Sequence, residues 1–116
     1  MADTFKVLGQ VRAEALAGTP EDEDGQEVYT VPDGVQTTVS SIVACHAGTG
    51  SNTYYIAIRP SAAPKELKHY IAYAKAIQTA GNAIVMAGIT LNDGDVIEVQ
   101  SDSNDVVFSV FGVETV

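Results

Sequence analysis

The stretch that decides the fold reads Glu27-Val28-Tyr29-Thr30-Val31-Pro32-Asp33-Gly34 and continues through Val35-Gln36-Thr37-Thr38-Val39-Ser40-Ser41-Ile42-Val43-Ala44-Cys45-His46-Ala47. Val28 to Val31 is β-branched and aromatic, a composition that suits a half-buried pleated surface. Pro32-Asp33-Gly34 stops it, because proline fixes φ and removes a donor while glycine tolerates positive φ. In the run that follows, Val39, Ser41, Val43 and Cys45 fall on one face of a strand, with Ser40, Ile42 and Ala44 on the other. Two strands either side of a tight turn set the expectation for the rest of the chain.

Downstream, Gly48-Thr49-Gly50-Ser51-Asn52 reads as a turn, and Thr53 to Ile58 as a strand alternating Tyr54, Ile56 and Ile58. The spacing predicts a hairpin between this strand and 35–47. Ala83 to Met86 is a short apolar strand, and Ile89-Thr90-Leu91 leads into Asn92-Asp93-Gly94-Asp95, a second hairpin-type turn. Val96 to Gln100 and Val106 to Val113 complete the set. Upstream, Phe5 to Leu8 fits a short strand or an anchoring arm, Val11 to Ala17 has mild helical propensity, and Glu21 to Gly25 is too polar to bury. Residues 1–26 therefore read as an N-terminal arm with an acidic loop, and 27–116 as a β-sandwich domain. One segment reads two ways: in 63–78, Leu67, Tyr70, Ile71, Ala74 and Ile77 recur at helical spacing behind Pro64, while His69, Ile71 and Tyr73 alternate as on a strand. Seven or eight short strands separated by turns predict an all-β protein, a jelly-roll-like β-sandwich with an extended N-terminal arm.

The 116 residues fit one domain, able to fold without disulfides or metal. Fifteen acids against six bases leave a net charge of −9, which argues against a nucleic-acid partner. Only 18% of residues are charged, less than the quarter or so usual for a soluble domain, so part of the surface is expected to be covered by other protein. Charge is also segregated: Arg59, Lys65, Lys68 and Lys75 share one stretch, and Glu21 to Asp24 is solidly acidic. Such a division suits two copies meeting, or a differently charged partner. The start of the sequence carries no apolar signal core and no run is long enough to span a bilayer, so neither secretion nor a membrane is expected.

Chemistry-bearing residues do not converge. Cys45 and His46 are adjacent, and strand neighbours point to opposite faces, so Cys45 is expected as a packed core thiol. The acidic run fails the EF-hand spacing, Gly48-Thr49-Gly50 lacks the rest of a phosphate loop, and no serine sits in a nucleophile elbow. The sequence predicts no enzyme, no cofactor and no metal. What stands out is a cluster of Tyr54, Tyr55, Arg59, Lys68, His69, Tyr70 and Tyr73, residue types that anchor protein interfaces. A sugar-binding face would have the same composition.

Tyr29 to Gly34, the Val39-Ser40-Ser41-Ile42 strand, Lys68-His69-Tyr70-Ile71-Ala72-Tyr73, Gly88 to Leu91, Gly94 to Val99 and Phe108 to Gly112 together resemble the small virion structural proteins of tailed bacteriophages. The resemblance runs from Phe5 over nearly the whole chain. It rests on strand and turn words, so no catalytic residue comes with it, and the acidic run Glu21 to Asp24 departs from it. It implies that 63–78 holds a strand. It also implies a protein made in the host cytoplasm and placed in the virion as a capsid decoration or cement protein, binding the major capsid protein or another virion protein and self-associating as a trimer or dimer. A neck, tail or fibre-base component, and a carbohydrate- or receptor-binding module, are the other readings. The interface residues expected from the apolar arm and the tyrosine-rich cluster are Phe5, Val7 and Leu8 in the arm, and Tyr54, Tyr55, Arg59, Lys68, His69 and Tyr70 in the cluster.

Overall fold

A computed structural model describes residues 3–23, 25–48, 52–78 and 81–116, with the backbone alone described at 21 and 82–87. Its strands are β1 (Asp3–Arg12), β2 (Gln26–Thr30), β3 (Gln36–His46), β4 (Asn52–Arg59), β5 (Tyr70–Ile77), β6 (Asn82–Leu91), β7 (Val96–Ser101) and β8 (Val106–Thr115). They form two four-stranded antiparallel sheets, ordered β1-β8-β3-β6 and β2-β7-β4-β5, stacked as a sandwich. The chain is all-β, as the strand-and-turn pattern predicts.

Alternation builds the core. Ile42 and Ala44 of β3 and Val106, Phe108 and Val110 of β8 face Ile56 of β4 and Ile97 and Val99 of β7, all essentially without solvent contact. A register shift between Val39 and Ser41 inserts an extra residue on β3, so Val39 points inward with Ile42 rather than outward with Ser41. The Pro32-Asp33-Gly34 turn forms as expected, with Gly34 at φ 76° and the Val35 amide bonded to the Pro32 carbonyl.

The connections depart from the local reading. β3 and β4 are not a hairpin: β3 pairs with β6 and β8, β4 with β5 and β7. Nor does Asn92–Asp95 join paired strands, since β6 and β7 lie in different sheets. Each connection crosses the sandwich except β4 to β5, because a strand with one apolar face must bury it against the opposite layer. Turn residues specify how the backbone reverses, not which sheet it re-enters.

A further expectation is corrected. Asp3–Arg12 is no free arm but an edge strand, paired antiparallel along β8 from Asp3 opposite Thr115 to Arg12 opposite Val107. After it, Ala13 is buried and the Ala15–Ser101 bridge draws the crossing segment onto β7, in place of a helix over 11–17. A Cβ on Gly9 would collide with the Val28 carbonyl oxygen, so glycine lets β1 approach β2 at this corner. In 63–78, which read both ways, the strand reading holds: short 3₁₀ turns at Pro60–Ala62 and Leu67–His69 precede β5 and no α-helix forms.

Candidate interaction surfaces

The tyrosine cluster divides between two layers. Tyr54 and Tyr55 are neighbours on β4, so their side chains part: Tyr54 is 5% exposed and meets Phe108 edge-on at 6.2 Å, inside the core. Its expected role at an interface is thereby corrected, and burial pushes its phenol pKa up. Tyr55 points outward and forms a triad with Tyr70 and Tyr73, ring centroids 5.0 to 6.2 Å apart and planes 67° to 89° apart. Tyr70 and Tyr73 are three residues apart, which a regular strand would put on opposite faces. Register shifts opposite Tyr54–Ile56 and Ile56–Ala57 each add one residue to β5, and Ala74 takes φ 52° within that stretch. These bulges turn both rings onto the outer face. Tyr73 is 45% exposed, and Ile71 and Leu67 are exposed beside it.

The other cluster members serve the fold to differing degrees. His69 is buried, its Nδ1 accepting the Glu66 amide at 3.0 Å, while Lys68 is exposed with Glu66 3.7 Å away. Arg59 is mostly covered. Its Nη2 pairs with Glu27, its Nε lies 3.1 Å from Glu98 Oε1 and its Nη1 donates to the Ala63 carbonyl.

Around Glu98 the outer face of β7 carries a buried ionic clasp that the sequence reading did not find. Glu98 Oε2 accepts Lys65 Nζ at 2.6 Å and the Gly25 amide at 3.0 Å, with both charged side chains about 5% exposed. Lys65 also donates to the Glu23 carbonyl. Next along the strand face, Gln100 donates to the carbonyls of Pro20 and Glu23 and accepts the Tyr70 hydroxyl at 2.7 Å. Glu23 itself turns back to cap the Ala17 amide at 3.0 Å. Residues 20–23, Gly25 and 63–66 are thus tied down over one sheet by groups far apart in sequence. Two of the four segregated bases, Arg59 and Lys65, are consumed within the chain.

A second network crosses between the sheets. The Tyr29 hydroxyl donates to Glu114 Oε2 at 2.6 Å and lies 2.7 Å from Thr37 Oγ1, and Lys6 holds Glu114 at 2.8 Å. Lys6 and the Tyr29 hydroxyl hold the Glu114 carboxyl below the usual range, while burial and then the Glu114 bond push the Tyr29 phenol up to about 12. A phenol whose pKa is higher folded than unfolded adds stability that is full below about pH 10 and is lost as pH climbs toward 12. The wild-type chain is therefore expected to lose up to about 2.5 kcal/mol from this group over that window. Urea titrations at successive pH values compare it with Tyr29→Phe, whose decline should be shallower. Equal slopes would remove the phenol from the account.

On the opposite side of the molecule, β1 presents Phe5, 79% exposed, and Val7 to solvent, while Leu8 turns in to pack on the core. Cys45 is exposed on the same outer face rather than packed in the core, since β3 turns His46 inward instead. The His46 Nδ1 accepts the Gly48 amide at 3.1 Å, which leaves Nε2 to donate to Asn52 Oδ1. Cys45 and His46 therefore point apart, and among the described residues no three His, Cys, Asp or Glu side chains gather as metal ligands. Compared with protein-family models, curated proteins and solved structures, the chain matches none.

Proposed function

We propose that the chain is a structural protein of a bacteriophage virion, a capsid decoration or cement protein that binds the capsid lattice and stabilises it. The observation that carries this reading is the pairing of two surfaces with exposed aromatic and aliphatic side chains on opposite sides of a thin slab, 46 × 28 × 17 Å along its principal axes. One is the tyrosine triad with Ile71 and Leu67, and the other is the apolar outer face bearing Phe5 and Val7. A slab with adhesive faces on both sides suits a protein held between other proteins. The strand orders 1-8-3-6 and 2-7-4-5, with connections crossing between sheets, support a jelly-roll topology of two Greek keys. In this reading Tyr55, Tyr70 and Tyr73 dock on the major capsid protein. Many modest contacts on one lattice then hold through avidity.

β1 already pairs with β8, so docking falls to the faces rather than to a swinging arm. The steep angles among the three rings leave no shared flat platform, which disfavours sugar stacking on the triad. A neck, tail or fibre-base component would use the same faces in far fewer copies.

Counting copies per purified particle by quantitative mass spectrometry, against the major capsid protein, tests the proposal. A ratio near one to one, or a simple fraction of it, is the expected result, with occupancy reduced in Tyr55→Ala/Tyr73→Ala particles. A handful of copies moves the protein to the neck or tail, and absence from particles overturns the virion reading.

A further inference from the structure

The outer face formed by β1, β8 and β3 carries few charges. Residues directly opposite in an antiparallel pair share a face, so the register puts Phe5 and Val7 of β1 beside Val113 and Phe111 of β8, with Val43 and Cys45 of β3 beyond. Among them lie uncharged polar groups, the hydroxyls of Thr38, Ser41, Ser109 and Thr115 and the amides of Gln10 and Gln36, with Gln10 Nε2 donating to Ser109 Oγ at 3.2 Å. The outward positions of β3 and β8 carry no formal charge, on a chain of net charge −9. The two charges that β1 brings to this face stand at its opposite ends: Asp3, opposite Thr115, and Arg12, opposite Val107, where the guanidinium donates to the Asn104 carbonyl and lies 3.8 Å from Asp105 while its side chain stays 64% exposed.

We infer that this face is an isologous dimer interface, in which two copies pack sheet against sheet about a two-fold axis running across the strands. That axis lays β1 of one copy antiparallel over β1 of the other, setting the Asp3 end against the partner's Arg12 end at both rims. Four strands about 4.8 Å apart and ten residues long give a face of roughly 19 by 33 Å. Two such faces cover roughly 1,200 Å², the lower bound of stable specific interfaces. A like-charged copy elsewhere on the surface would meet acid with acid, whereas here both partners bring an uncharged centre. The inference concerns the chain alone and stands whether or not the protein belongs to a virion.

The purified full chain is measured by light scattering coupled to size exclusion, at about 50 µM and in moderate salt. The expected mass is twice the 12.2 kDa of one chain. Phe5→Glu, at a position with little to lose in folding, should keep the circular dichroism spectrum and melting temperature of the isolated subunit. It should raise the dimer dissociation constant about 100-fold, because a carboxylate is then forced into an apolar seam. Asp3→Arg should weaken the dimer several-fold, and adding Arg12→Asp should restore it. A wild-type chain that is monomeric, a Phe5→Glu chain that dimerises unchanged, or a double variant that is not restored overturns the proposal. Because none of these readings uses particles, they fail or succeed separately from the copy count.

Discussion

Glu98→Ala is expected to cost about 3–5 kcal/mol, a large part of the total stability of a domain this size. The asymmetry of the clasp sets the figure. Arg59 keeps the half-exposed Glu27 as a partner, but Lys65, with its side chain 6% exposed, is left with only the Glu23 carbonyl. Removing one member of a buried pair leaves the other as an uncompensated charge, and the hydrophobic remainder of the fold must absorb that penalty. Urea denaturation measures it, with Lys68→Ala as the control. Lys68 and Glu66 are an exposed pair, and their separation should cost less than about 0.5 kcal/mol. Replacing both members together, as Lys65→Met/Glu98→Leu, should recover most of the loss. A Glu98→Ala effect below about 1 kcal/mol would mean that water shares the site, and the clasp would no longer explain how Glu23 and Gly25 are held against β7.

The tyrosines give the second large effect, and it separates neighbours. Tyr54→Ala empties core space against Phe108 and should destabilise by about 3–5 kcal/mol. Tyr73→Ala removes edge-to-face contacts at a half-exposed site and should cost about 1 kcal/mol, with the fold intact. Thermal unfolding followed by near-ultraviolet circular dichroism distinguishes them. Comparable losses at the two positions would contradict the division into core and surface. The same comparison fixes the choice of variants for binding work, because a Tyr54→Ala/Tyr55→Ala pair would report unfolding instead of surface chemistry.

Residue pattern made the strands legible and left their partners hidden. The turns at 32–34 and 92–95 declare themselves through proline and glycine, and β3, β4, β7 and β8 through alternation. Pairing is another matter, because β1 finds β8 about a chain length away and no local rule reports that. The helical spacing in 63–78 has a definite origin. Two bulges in β5 lengthen the interval between outward residues from two to three, so Tyr70 and Tyr73 imitate consecutive turns of a helix. The β3 bulge similarly swaps Val39 to the inner face, out of step with Ser41 and Val43. The tyrosine cluster was visible as composition, but its split into Tyr54 and the outer triad follows from strand parity. The Glu98 clasp joins β7, β4 and two loops, and individually Glu98, Arg59 and Lys65 look like ordinary surface charges.

The pairing of the first strand with the last also constrains the order of events at synthesis. β1 emerges from the ribosome ahead of β8 and must wait until Thr115 has followed before their register can close. Throughout that wait Phe5 and Val7 stand on an unpaired strand, available to any other open edge nearby. Contacts of such long sequence separation place this domain among the slow folders, with times of milliseconds to seconds in place of microseconds. The edge that completes the sandwich is thus also the one most in need of protection while the chain is being made.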